Sequence, residues 1–242
     1  MDIARNRRGR SVIDCRYHKA PGGDGGRVLL VMLPGVGIEA GEFAERGLVA
    51  SVHDRGLPVD VVATRPALDH YHDGTIAAEL HRAVVEPALR QGYTRLWFLG
   101  ISLGGMGALL YATVHGALVD GVVLLAPFLG TQGTVAELAE AGGLASWPAE
   151  TSTATASERQ MLVWLQRVLS RPPLRPTLYL GYGRDDRFVT GHRLLAERLP
   201  NARVVTADGG HDWETWATLW RCVLDAEPFA ARSAELDAPT IE

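Results

Sequence analysis

Cysteine is scarce: Cys15 and Cys222 are the two in 242 residues, and they form no C-x-x-C pair. That excludes a disulfide framework, a zinc ribbon and a dithiol redox motif, and two free thiols in a reducing compartment fit better than one bridge. No H-E-x-x-H occurs, the helical pair of histidines that holds a hydrolytic zinc. No apolar run reaches the ~20 residues that a membrane-spanning helix needs. Arg5, Arg7, Arg8 and Arg10 are followed by Ser11-Val12-Ile13-Asp14-Cys15-Arg16, which is not the apolar core of a signal peptide. They read as a solvated tail. Positive charge is in deficit, with 24 Lys and Arg against 28 Asp and Glu, and no basic stripe interleaved with aromatics offers a nucleic-acid surface. The expectation is a cytoplasmic protein with no nucleic-acid and no membrane partner; a homodimer is compatible with it.

Hydrophobic residues make up 47% of the chain and charged residues 21%, a globular balance. The length suits one α/β domain over residues 1–242. Short apolar runs alternate with longer amphipathic ones, as in parallel strands joined by helices. Strands are expected at 11–19, 27–33, 59–63, 96–99, 121–128, 177–180 and 202–206. The 27–33 run is apolar throughout, as in a strand covered on both faces. Glycines in 21–26 mark a turn. Helices are expected at 40–55, 76–91 (kinked by Pro87), 104–115, 159–169, 191–199 and 214–224. Residues 130–157 break the rhythm and read as a small cap insertion, with a short helix at 135–140 and a mobile, low-complexity stretch at 151–157.

The chemistry concentrates at Gly100-Ile101-Ser102-Leu103-Gly104, a G-x-S-x-G sequence. A serine on a sharp strand-to-helix turn has its oxygen lifted clear of the sheet, and the strained backbone leaves no room for side chains two residues either side. Eight serines and 27 glycines in the chain give roughly 0.1 such matches by chance, so the apolar strand before it and the helix after it matter as much as the pentapeptide. A serine hydroxyl needs an adjacent base. His211, in Gly209-Gly210-His211-Asp212-Trp213 just after the last strand, falls at the same sheet edge as Ser102. A carboxylate must fix the imidazole tautomer. Gly183-Arg184-Asp185-Asp186 offers two, and spacing alone does not choose between Asp185 and Asp186. The developing oxyanion needs backbone N–H groups: one from Leu103, the other from the loop Pro34-Gly35-Val36-Gly37 after the first long strand.

Together these pieces resemble the α/β-hydrolase superfamily over roughly residues 27–224, and the Gly-Gly-His tail resembles its esterase and dienelactone-hydrolase-like branches. The resemblance implies a three-layer fold with a mostly parallel sheet of about six to eight strands, helices on both faces and a small cap. The family's acid sits three residues after a glycine and three before an apolar residue; Gly183, Asp186 and Val189 keep that register, which favours Asp186. The same comparison favours Val36 as the second oxyanion donor. The chain departs from the family in carrying Pro34-Gly35 where many members have His-Gly, and in having at most one strand before Arg27. The implied activity is hydrolysis of a small-molecule carboxylic ester through an acyl-enzyme, with no cofactor and no metal. Thioesterase, peptidase, lactonase or acyltransferase chemistry would use the same residues, and a non-catalytic binding protein on this fold is the rival of a different class.

Two further features carry less specific expectations. Asp69-His70-Tyr71-His72-Asp73 resembles a metal cluster but lacks a tetrahedral donor pattern; it borders the substrate pocket if it faces the sheet edge. Trp147, with Leu144 and Pro148, is either a cap wall over the pocket or a satellite of the core. Trp213, next to His211, is placed near the pocket.

Overall fold

The computed structural model describes residues 13–21, 27–171, 175–226 and 228–229; the arginine tail and most of the expected 21–26 turn lie outside them. Among the described residues seven strands, β1 (Asp14–His18), β2 (Val28–Leu33), β3 (Val59–Arg65), β4 (Arg95–Ile101), β5 (Gly121–Leu125), β6 (Thr177–Gly183) and β7 (Val204–Ala207), form one sheet in the order β1-β3-β2-β4-β5-β6-β7. β1 runs antiparallel on β3 and every other pair is parallel. This is the α/β-hydrolase architecture, with a strand count inside the expected range.

Among the described residues ten α-helices cover the sheet: α1 (Glu42–Glu45), α2 (Leu48–His53), α3 (Leu68–His72), α4 (Ile76–Leu80), α5 (Glu86–Arg90), α6 (Leu103–His115), α7 (Gln132–Glu140), α8 (Ala156–Leu169), α9 (Val189–Ala196) and α10 (Trp213–Asp225). Side chains alternate across each strand, and here both faces are dry. In β2, Leu29, Val31 and Leu33 join one core with Phe98, Val122 and Tyr111, whereas Leu30 and Met32 join the other with Trp97, Val123 and Trp220. That is why the strand reads as one unbroken apolar run.

The single helix expected over 40–55 is two helices, because Gly47 adopts φ 78°, a left-handed conformation that ends one turn before the next begins. The helix at 76–90 passes through a π-helical turn at His81–Val85 just before Pro87. Proline lacks an N–H and its ring crowds the preceding turn, so a widened turn accommodates it where a simple kink was expected. Residues 151–157 are not a plain loop: Ser152 and Thr153 hydroxyls and the Thr153 N–H donate to Glu137, and Thr155 with Glu158 forms a capping box on α8.

The strand order reverses between β2 and β4: β3 lies on one side of β2 and β4 on the other. Loops leaving the carboxyl ends of two such strands diverge and leave a crevice. Pro34 follows β2 and Ser102 follows β4, and Leu33 pairs with Gly100 at the lip of that crevice.

Trp220 is fully buried beneath the sheet, and its Nε1 donates to the Leu48 carbonyl at 3.0 Å, tying α10 to α2. Trp220→Ala is expected to lower the unfolding free energy by about 3–5 kcal/mol in denaturant titrations. A loss below about 1 kcal/mol would show that the α2–α10 layer collapses into the space without cost.

Candidate active site

Ser102 stands between β4 and α6 at φ 53°, ψ −118°. That region is costly for a residue with a Cβ, and the surroundings must hold it there. They do so from three sides: the Ser102 N–H donates to Leu125 O at 3.0 Å, and its carbonyl accepts from Gly105 N–H and Phe128 N–H, each at 2.9 Å. The flanking glycines are required by space. A Cβ on Gly100 would lie 2.4 Å from Gly104 O, and one on Gly104 would lie 2.2 Å from Leu33 O.

His211 reaches the same edge from the loop after β7. Its Nε2 lies 2.9 Å from Ser102 Oγ, and its Nδ1 lies 2.8 Å from Asp186 Oδ2. Asp186, rather than the exposed Asp185, faces the histidine. The other Asp186 oxygen accepts from Phe188 N–H at 2.8 Å, so the carboxylate is clamped on both sides. Burial pushes the Asp186 carboxyl up, but hydrogen bonds from His211 and Phe188 and the nearby imidazoles outweigh it and hold the group below its usual value. The ionised carboxylate can only accept, so His211 carries its proton on Nδ1 and presents the Nε2 lone pair to Ser102. Phe188 and Trp216 press edge-on against the imidazole, each with centroids 5.1 Å away, and fix its plane.

A cavity of about 530 Å³ opens over Ser102 and His211, walled by Phe128, Phe188, Trp213 and Trp216. Val36, 64% exposed, and Leu103 lie on its rim. Among the described residues neither N–H donates to a protein acceptor, which leaves both free for an oxygen in the cavity. Trp213 lines this cavity, and so does Trp216 on the next turn of α10. Of the two places open to Trp147 the structure shows the core: it is 3% exposed, donates to Glu137 Oε2 at 3.4 Å and does not line the Ser102 cavity. Its segment is drawn onto α8 by Gln166, whose Nε2 donates to the carbonyls of Leu144 and Trp147 at 2.8 and 3.0 Å. No residue of 130–157 lines the Ser102 cavity. Within 69–73, His70 is buried and His72 exposed, and no three metal-ligating side chains converge among the described residues.

Several residues of the site escaped sequence reasoning, Phe188 and Trp216 against the imidazole among them. Ala126 has φ 48°, a sharp turn after β5 that brings the Phe128 N–H to the Ser102 carbonyl and Phe128 to the cavity wall. No glycine marks it, so no local signal was available. His192 on α9 is fully buried, and its Nε2 donates to Pro127 O at 3.0 Å, which leaves Nδ1 without a partner. Its nearness to Asp186 depends on how α9 packs.

The chain is an α/β hydrolase by architecture. Residues 57–221 match the model of the Esterase family ("Putative esterase"), and the chain belongs to that family. No curated protein sequence matches it. Among solved structures it is similar to Est1E from Butyrivibrio proteoclasticus, with TM-score 0.62, 16% identity and coverage of 90% of this chain and 95% of that one. It is also similar to a ferulic acid esterase, with TM-score 0.56, 17% identity and coverage of 90% and 98%. A third is MGS-MChE2, an α/β hydrolase from a sediment metagenome of the lagoon of Mar Chica, Morocco, with TM-score 0.52, 19% identity and coverage of 88% and 91%. At these identities the likeness concerns the fold.

Burial holds the His192 imidazole below its ordinary value of 6.5, against the pull of Asp186 and the Pro127 carbonyl. As pH falls past 6.5 the unfolded chain therefore takes up a proton that the folded chain refuses. The stability contributed by the neutral ring is complete above that value and is lost on acidification. The urea midpoint of the native chain should fall between about pH 7 and 5 more steeply than that of His192→Gln. Parallel pH curves would contradict this.

Proposed function

We propose that this chain is a serine carboxylesterase working through an acyl-enzyme. The observation that carries the reading is the unbroken hydrogen-bonded series Ser102–His211–Asp186 opening on an aromatic-walled cavity. Membership of the Esterase family supports ester cleavage as the reaction class.

In this reading Ser102 Oγ attacks the ester carbonyl carbon while His211 Nε2 takes the hydroxyl proton. Asp186 stays ionised and stabilises the imidazolium, and the Val36 and Leu103 N–H groups hold the oxyanion. His211 then gives the proton to the departing alkoxide, and the carbonyl re-forms as an acyl-Ser102. Water enters, loses a proton to His211, attacks the acyl carbon and releases the acid, and Ser102 recovers its proton. Every proton is accounted for within three side chains, so the cycle needs no cofactor. The helix dipole of α6, whose first residue is Leu103, adds favourable potential at the oxyanion.

Ser102→Ala should reduce kcat on 4-nitrophenyl acetate by about 10⁵–10⁶-fold and abolish labelling by a fluorophosphonate, with an unchanged circular dichroism spectrum. Full turnover by that variant would remove the nucleophile. Asp186→Asn should lower kcat by about 10⁴-fold, because an amide offers a donor where His211 Nδ1–H needs an acceptor. Asp185→Asn, by contrast, should remain within about threefold of the native rate, since Asp185 makes no contact with the imidazole.

A further inference from the structure

The crevice does not end at the loop after β2. A second cavity of about 720 Å³ lies across that loop and shares Gly35, Val36, Ile38 and Leu103 with the cavity over Ser102. Its outer wall is made by the edge strand β1, the end of β3 and α3. The two spaces differ in chemistry. The Ser102 side is lined by Phe128, Phe188, Trp213 and Trp216, whereas the far side carries Asp14, Arg65 and Asp69 among apolar neighbours.

The charges on the far side are not equivalent. Arg65 is engaged, with its guanidinium 3.0 Å from Glu39. Asp14 lies 3.6 Å from Arg16 in a loose surface pair. Asp69 is exposed and has no ion pair or side-chain hydrogen bond among the described residues. A free carboxylate beside a partly neutralised one makes the space an acceptor of hydrogen-bond donors and a poor host for anions. Cys15 on the same wall is no nucleophile, because burial and the Asp14 charge push its thiol up to about 11. Cys15 therefore gives the space no second reactive centre.

We infer that the groove bounded by β1, β3 and α3 is a second substrate arm, which takes the substituent across the scissile carbonyl from the aromatic cavity and selects one carrying hydroxyl or ammonium donors through Asp69. This rests on the proposed reaction at Ser102 and narrows its substrate: an ester joining a flat apolar group to a donor-bearing one. The segment 65–71, which has no part in the bond-breaking steps, becomes the specificity element. Leu68, 46% exposed on the same wall, sets the width of the arm.

The test is a set of selectivity ratios, which do not depend on how much of each variant is folded. One series is benzoate esters of propanol, glycerol, ethanolamine and 3-hydroxypropanoic acid; its mirror is phenyl esters of butanoic, hydroxybutanoic, aminobutanoic and succinic acids. Native enzyme should prefer the hydroxyl and ammonium members of one series over its carboxylate member, by kcat/KM. Asp69→Lys should move the ammonium-to-carboxylate ratio about fivefold toward the carboxylate, as expected for reversing one exposed charge contact. Leu68→Trp should lower kcat/KM for the longer members of that series relative to 4-nitrophenyl acetate by about fivefold through KM. If both variants leave every ratio in both series unmoved, the arm is overturned while hydrolysis at Ser102 stands. If Ser102→Ala turns over these esters like the native chain, the reading beneath the arm falls instead.

Discussion

The backbone turn at Ser102 is the constraint on which the site depends. A residue with a Cβ is held at φ 53° between a buried strand and a helix, and the cost is met by hydrogen bonds from three neighbouring segments. The turn also needs the carbonyls of Leu33 and Gly104 to pass within contact of the Gly104 and Gly100 α-carbons, which glycine alone permits. In exchange Ser102 Oγ stands at the carboxyl end of β4, beside the loop after β2 and under the loop after β7. Strand order makes this a lip of the sheet where the crossovers diverge.

Around that turn, electrostatics and packing act together. Asp186 is clamped by His211 and the Phe188 N–H, so its charge survives burial that would otherwise favour the neutral acid. Phe188 serves twice, since its backbone holds the carboxylate and its ring stands against the imidazole. Trp216 stands against the imidazole as well. The result is a histidine with little rotational freedom in a water-poor wall, where a charge-assisted hydrogen bond is stronger than in solvent. The polarity of the crevice then changes across Val36, from aromatic on the Ser102 side to carboxylate-bearing on the far side.

Much of this was written locally. The fully buried strands announced themselves as apolar runs, because covering both faces removes the polar alternation. Ser102 and His211 were legible because glycine-rich turns leave a chemical mark, and Asp186 emerged from family register where spacing left Asp185 open. Other features left no such mark. Gly47 splits a helix whose apolar spacing runs on past it. Trp147 had equal claims to a cap and to the core, and its fate is settled by Gln166 and Glu137, distant in sequence. Ala126 shows nothing of its turn, and His192 becomes a neighbour of Asp186 by packing alone.

By itself, then, the sequence determined which residues can do chemistry and at which strand ends they sit, since turns, glycine requirements and apolar periodicity are local properties of the chain. The tertiary structure decided which of them meet, which tryptophan walls the cavity, and where the crevice continues. Those are distances between segments tens to hundreds of residues apart, such as the 2.9 Å between Ser102 and His211, and no local pattern encodes them.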